Sequence, residues 1–197
     1  MGNGDYREVT MKLYAIFAND KTTGITFKLY QEAINNFKNK GYEIDELNLY
    51  TKEKEIPFFH HDRTYMENHP FYMENQKRFL QADALLLVFP MYWYSVPGIL
   101  KTWLDMINAW AYKYESGMYA KPLHNIKKVF VIYACMQSKE HFEKNLHNPI
   151  EYQLSETFRF IGIPQTHIHV VDNVNKIKEE ELEEKLKEIN EFCCACI

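Results

Sequence analysis

Three stretches of the chain carry almost nothing but hydrocarbon: Leu13 to Ala18 in KLYAIFA, Leu85 to Phe89 in ADALLLVFP, and Val129 to Ala134 in KVFVIYA. A strand with one face in water alternates apolar and polar residues. A strand that is apolar throughout must be covered on both faces, as in a parallel sheet with helices above and below. Between these runs lie segments of helical spacing. Ile25 to Asn39 places Phe27, Tyr30, Ala33, Ile34 and Phe37 on one stripe and meets a natural stop at Gly41. Phe71 to Ala82, Pro97 to Trp110, Ile150 to Ile161 and Lys178 to Phe192 read the same way. Tyr42 to Leu49 alternates as a sheet-edge strand does, and Thr166 to Val171 supplies the last strand. Thr51 to His69 is polar and without periodicity.

Strand and helix therefore alternate five times within 197 residues, a length that suits one domain. The expected fold class is α/β, a flavodoxin-like doubly wound five-stranded parallel sheet of order 2-1-3-4-5. Its domain runs over 12–192, with a disordered leader at 1–11, where Met11 is an alternative start, and a Cys-rich tail at 193–197. In such sheets ligands lie off the carboxyl ends of the strands, where the winding reverses. Those ends are three loops here: Asn19 to Thr26, Pro90 to Val96, and Cys135 to His141. The second carries Met91, Tyr92, Trp93 and Tyr94 in succession, flat or polarisable side chains suited to a planar ligand. The first, NDKTTGIT, opens a helix, whose free N–H groups suit a phosphate, with threonine hydroxyls and Lys21 or Lys28 beside them. It is neither GxGxxG nor a Walker A loop, so a pyrophosphate fingerprint is not indicated. A phosphate seat beside an aromatic shelf suits a flavin mononucleotide.

Composition excludes several classes. A formal net charge of −4 and a pI near 6.1 do not make a nucleic-acid surface. No window has the roughly 18 to 20 consecutive apolar residues of a membrane span, and the start, MGNGDYREVT, lacks the apolar stretch of a secretory signal. The expected compartment is cytoplasmic. Cys135 stands alone, and Cys193, Cys194 and Cys196 crowd CCACI, which is no disulfide framework. The ending has the outline of a prenylation box but an acidic helix before it, so a frayed, reducible tail is the plainer reading.

FPMYWYSVPGILKTWLDMINAWAY resembles the pattern HPMxWYSxPxxLKxWxDxV…xxWAY of the flavodoxin-like NAD(P)H:quinone oxidoreductases, matching at Pro90, Met91, Trp93, Tyr94, Ser95, Pro97, Leu100, Lys101, Trp103, Asp105, Trp110, Ala111 and Tyr112. Weaker echoes, ADALLLV and TFRFIGIP, extend over most of the chain. His141-Phe142-Glu143 is similar to a segment of one subgroup, the ancillary quinone reductases of glutathione-gated potassium efflux systems. The resemblance implies bound FMN, with FAD in larger relatives, a homodimer with its active site at the interface, and hydride transfer from NAD(P)H to a quinone. Carried over by position, Pro90, Met91, Tyr92, Trp93 and Tyr94 frame the flavin ring, and Ala134, Cys135, Met136 and Gln137 lie along its other edge. Asn19, Thr26, Phe27 and Lys28 meet the ribityl phosphate. Tyr112 and His141 line the substrate side as the catalytic hydrogen-bond donors. The chain departs from the pattern in two loops. Asn19 stands where the family has His. Ala134-Cys135-Met136-Gln137 replaces Thr-Thr-Gly-Gly, so side chains at both glycine positions either redirect the loop or crowd the flavin edge.

Other features read as structure. Trp103 and Trp110 follow the helical stripe and pack in the core or a dimer contact. His60, His61 and His69 show no metal-ligand spacing and belong in a solvated loop. His167 and His169 share one strand face. Cys135 is a buried small hydrophobe rather than a nucleophile. Two alternatives stay open: a regulatory subunit docking on a membrane potassium-efflux transporter, and a flavodoxin-fold interaction protein that no longer binds flavin.

Overall fold

The computed structural model describes residues 10–109, 111–114 and 120–196. Most of the expected leader and Trp110 lie outside these residues. The elements in chain order are β1 (Lys12–Phe17), α1 (Ile25–Asn39), β2 (Glu43–Asn48), α2 (Arg63–Glu67), α3 (Pro70–Gln81), β3 (Ala84–Pro90) and α4 (Gly98–Asn108). Then come β4 (Tyr112–Tyr114), β5 (Ala120–Pro122), β6 (Lys128–Ala134), α5 (Lys139–Leu146), α6 (Pro149–Phe160), β7 (Gln165–Val171) and α7 (Glu179–Cys196).

β2, β1, β3, β6 and β7 form one parallel sheet in that order, the expected 2-1-3-4-5 when the sheet strands are counted alone. Successive residues of each strand face opposite layers. Tyr14, Ile16, Leu85, Leu87 and Phe89 join the core beneath α3, α4 and α6, whereas Leu13, Ala15, Phe17, Leu86 and Val88 join the one beneath α1 and α7. Both layers exclude water from the central strands, which is why those strands lack polar alternation. Each fully buried Leu or Phe contributes about 1.5–3 kcal/mol, so an alanine at Leu86 would remove about 2–5 kcal/mol.

The first core also contains a polar knot. Asn75 accepts from the Tyr14 hydroxyl at 2.5 Å and the Trp103 indole N–H at 3.1 Å, and donates to the Phe71 carbonyl at 2.8 Å. It joins β1, α3 and α4 at the layer that carries the aromatic loop. Trp103 is fully buried, as its helical stripe requires.

Four features depart from the sequence reading. Met11 already accepts from the Glu43 N–H at 2.9 Å, so sheet bonding begins one residue inside the expected leader. Tyr112–Tyr114 and Ala120–Pro122 pair as an antiparallel ribbon after α4. Residues 139–146 form α5, started by a Ser138 cap that accepts from the His141 N–H. Finally, α7 continues through Cys196 rather than fraying at Phe192: Cys193 is buried against α1 and β6, and the burial of its thiol stabilises that last turn.

Candidate functional site

β3 ends at Pro90, paired with Ala134 of β6, and the Met91 N–H donates to the Ala134 carbonyl at 2.8 Å. The chain then reverses in one turn. Tyr92 and Ser95 exchange both backbone bonds at 3.0 Å, with Trp93 and Tyr94 between them at φ 51° and 63°. Two left-handed residues in a two-residue loop make a type I′ turn, which favours Asn-Gly because side chains are crowded there. Two large aromatics in that conformation are strained, a state that usually persists because a site requires it. Trp93 is 95% exposed, so its ring buys no core packing in return.

The turn forms one wall of a cavity of about 360 Å³ lined by Met91, Tyr92, Trp93, Tyr94, Met136 and Gln137. That volume falls within the roughly 300–1,000 Å³ of small-molecule sites. Gln137 closes the opposite wall: its amide donates to the Tyr94 hydroxyl at 2.9 Å, and the hydroxyl lies 3.2 Å from the amide oxygen. Only part of the third loop lines this space. Ala134 turns into the core beneath α1, and Cys135 into the other core, its thiol bonded to the Gln137 carbonyl at 3.2 Å. Burial, then the charge of Asp172, pushes the Cys135 thiol up to about 12, which leaves it inert as a nucleophile. The Asn173 and Val174 N–H groups hold the loop from behind, on the Gln137 and Cys135 carbonyls. Met136 stands 67% exposed beside Gln137.

The first loop adjoins this wall. Asn19 is buried, its side-chain oxygen accepting from the Lys21 N–H at 3.5 Å. Burial and the charge of Asp20 both raise the phenol pKa of Tyr92, and burial, Tyr92 and Asp20 raise that of Tyr50. Tyr50 follows β2 in a short 3₁₀ turn over Leu49–Lys52. Neither Tyr50 nor Asp20 belongs to a motif in the sequence, although both lie at carboxyl ends of strands. α1 is preceded at its N-cap by Gly24, φ 88°, with no side-chain cap and no acidic residue in its first turn. The Lys28 N–H is bonded to the Gly24 carbonyl at 3.1 Å, and the N–H groups ahead of it have no acceptor within the helix. Thr26 is buried at this end, Lys28 is exposed, and the half-buried Phe27 ring packs 5.6 Å from Phe17.

Tyr112 and His141 are placed elsewhere. Tyr112 packs edge-on to Tyr114 and Phe160, at 5.3 and 5.1 Å, and lines a second cavity of about 590 Å³ with Phe59, Asp105, Glu156 and Arg159. That cavity shares no lining residue with the first. His141 lies exposed in the first turn of α5 and lines neither. His60 and His61 are exposed, and among the described residues no group of His, Cys, Asp or Glu could hold a metal ion. His167 stacks on Phe130 at 5.6 Å, and His169 lies 5.4 Å from Phe192 and 3.7 Å from the Glu188 carboxylate, so the pair faces α7.

The chain is 28% identical over 140 residues to NAD(P)H dehydrogenase [quinone] 1 of Rattus norvegicus, covering 59% of this chain and 51% of that protein. Against the Cavia porcellus counterpart it covers 63% of that protein's length, so it spans between half and two thirds of these relatives. An NAD(P)H:quinone oxidoreductase from Methanothermobacter marburgensis superposes with a TM-score of 0.78 at 17% identity, covering 93% of this chain and 96% of that one. An FMN-dependent NADH-azoreductase of Bacillus anthracis, solved in complex with FMN, does so at 0.73 and 19%, over 93% and 98%. At such identities the superpositions establish the fold. The family described as the flavodoxin-like fold matches residues 11–192, nearly the whole chain, and this protein belongs to it.

Proposed function

We propose that the chain is a flavin-dependent NAD(P)H oxidoreductase that transfers hydride from NAD(P)H, through bound FMN, to a quinone or a similar two-electron acceptor. The carrying observation is the strained Trp93–Tyr94 turn facing Met136 and Gln137 at the carboxyl ends of β3 and β6, beside the β1–β3 switch point of the sheet. The relatedness to a quinone dehydrogenase and the likeness to an FMN-dependent azoreductase support the same reading.

The residues present fit the cofactor. The uncapped start of α1 offers unpaired N–H groups and a positive dipole end to a phosphate, Thr26 adds a hydroxyl, and Lys21 and Lys28 add charge. Trp93, Tyr94 and Met91 offer flat or polarisable surface to a ring. A flavin, when bound, supplies the two-electron chemistry between nicotinamide and acceptor. The protein's own task is to seat both partners in turn, orient them against that surface and exclude water from it. Because one chain leaves Tyr112 in a separate cavity, its assigned role as donor to the acceptor requires a second copy, which fits a homodimer whose site forms at the interface.

The test is a visible spectrum after saturating with FMN and desalting. Retained flavin bands that bleach with NADPH or NADH and return with a quinone support the proposal. A protein that takes up no FMN refutes it. Sedimentation then separates a dimer from a monomer.

A further inference from the structure

The Tyr94–Gln137 contact links the two walls of the cavity, and neither side chain is needed for the fold around it. Tyr94 is 37% exposed, Gln137 lies in the third loop, and the backbone of each loop is already held by its own bonds: Tyr92 to Ser95 in one, Gln137 to Asn173 and Cys135 to Val174 in the other. Those backbone bonds fix where the turn begins and ends. They do not fix the pitch of the two rings at its tip, where left-handed φ angles leave Trp93 almost fully in solvent. An exposed, strained aromatic relaxes unless something else restrains it. The side-chain contact that ties the turn to the opposite wall is the hydrogen bond from the Gln137 amide to the Tyr94 hydroxyl.

We infer that Gln137 is a positioning residue for the site: through the Tyr94 hydroxyl it holds the Trp93–Tyr94 turn in the pose that presents the Trp93 ring to a planar ligand. This rests on the flavin reading for the identity of that ligand, but not for the restraint itself. It also gives the amide at this position a task that glycine there could not perform. A side chain that narrows the cavity contributes a fixed wall, so the ligand meets a preorganised surface instead of ordering one.

The consequence is a coupling. If the bond is the restraint, removing either partner removes all of it, and removing both removes no more. One hydrogen bond of this kind is worth about 0.5–1.5 kcal/mol, which corresponds to roughly two- to tenfold in an equilibrium or rate constant. The experiment compares Tyr94→Phe, Gln137→Leu, the double variant and Gln137→Glu, which keeps an acceptor for the Tyr94 hydroxyl. Two properties are measured. One is the time-resolved fluorescence anisotropy of Trp93 in the ligand-free protein, isolated by difference from Trp93→Phe. The other is the FMN dissociation rate followed by flavin fluorescence.

The expected result is faster local motion of Trp93 and two- to tenfold faster FMN release in each single variant. The double variant should match either single one, and Gln137→Glu should restore the slow Trp93 motion. Unchanged Trp93 motion in Gln137→Leu overturns the inference, and so do effects that add in the double variant. If the wild-type protein takes up no FMN, the flavin reading fails, and the anisotropy of the ligand-free variants still decides the restraint.

Discussion

Replacing Trp93 by Asn should make the ligand-free protein more stable and the FMN complex weaker. Trp93 sits at φ 51° with its ring 95% exposed, so truncating it removes almost no buried surface. An ordinary L-residue pays about 1–2 kcal/mol for the left-handed region. Asn is enriched there several-fold, and a three- to fivefold preference is about 0.6–1 kcal/mol. For a chain of this size each kcal/mol moves the melting temperature by about 2–4 °C, so the rise should be about 1–4 °C. Trp93→Ala is the control, because alanine loses the ring and keeps the backbone cost. Binding should move the other way. Loss of one aromatic stacking partner costs about 0.5–1.5 kcal/mol, or roughly two- to tenfold in the FMN dissociation constant. The assays are thermal unfolding of the flavin-free protein and fluorescence titration with FMN. Trp93→Asn melting at or below the wild type, or no better than Trp93→Ala, would refute the argument that the turn stores strain. An unchanged FMN constant in both variants would refute the ring's part in the shelf.

Three other outcomes are expected. Asn75→Leu leaves the Tyr14 hydroxyl and the Trp103 N–H buried without their acceptor, at about 1–3 kcal/mol each, and should lower the urea midpoint accordingly while Tyr14→Phe costs less. Burial lowers the pKa of His124, His167 and His169, so the unfolded chain binds their protons more readily than the folded one. Stability should therefore be complete above about pH 6.5 and fall as pH drops below it. His124 accepts from the Ile126 N–H through Nδ1 at 3.2 Å, so His124→Gln should flatten that slope, and a slope unchanged in this variant would show that His124 does not contribute. Iodoacetamide near pH 8 should label the exposed Cys194 quickly and leave Cys135 and Cys193, both pushed up to about 12 by burial, unmodified until the protein unfolds, as peptide mass spectrometry can read out.

Much of this architecture was legible in the order of residues. Leu85 to Phe89 and Val129 to Ala134 demand cover on both faces, and the helix layers on either side of β3 and β6 supply it. Gly41, at φ 83°, stops α1 where the pattern placed it. The three loops at the strand ends were found because topology alone puts a ligand there. The missed elements have local causes. α5 was passed over because its cap, Ser138, opens a short polar segment with little apolar repetition, and the β4–β5 ribbon because three-residue strands carry no period. CCACI looks unlike a helix end, yet burial of Cys193 against α1 carries α7 on through Cys196.

The candidate site divides in the same way. Its composition was determined by the sequence: which aromatics, which glycines replaced, which helix start left without a cap. What only the tertiary structure decided is orientation. Chain order places Ala134, Cys135, Met136 and Gln137 together, but packing turns the first two into opposite cores and the last two into the cavity. It sends Tyr112, so near the aromatic loop in sequence, to a different cavity, and brings Asp20 and Tyr50 close enough to Tyr92 for their charges to act on one another. Periodicity reports which face of an element is apolar. Where a loop side chain points depends on bonds to residues far away in the chain, and no local pattern contains them.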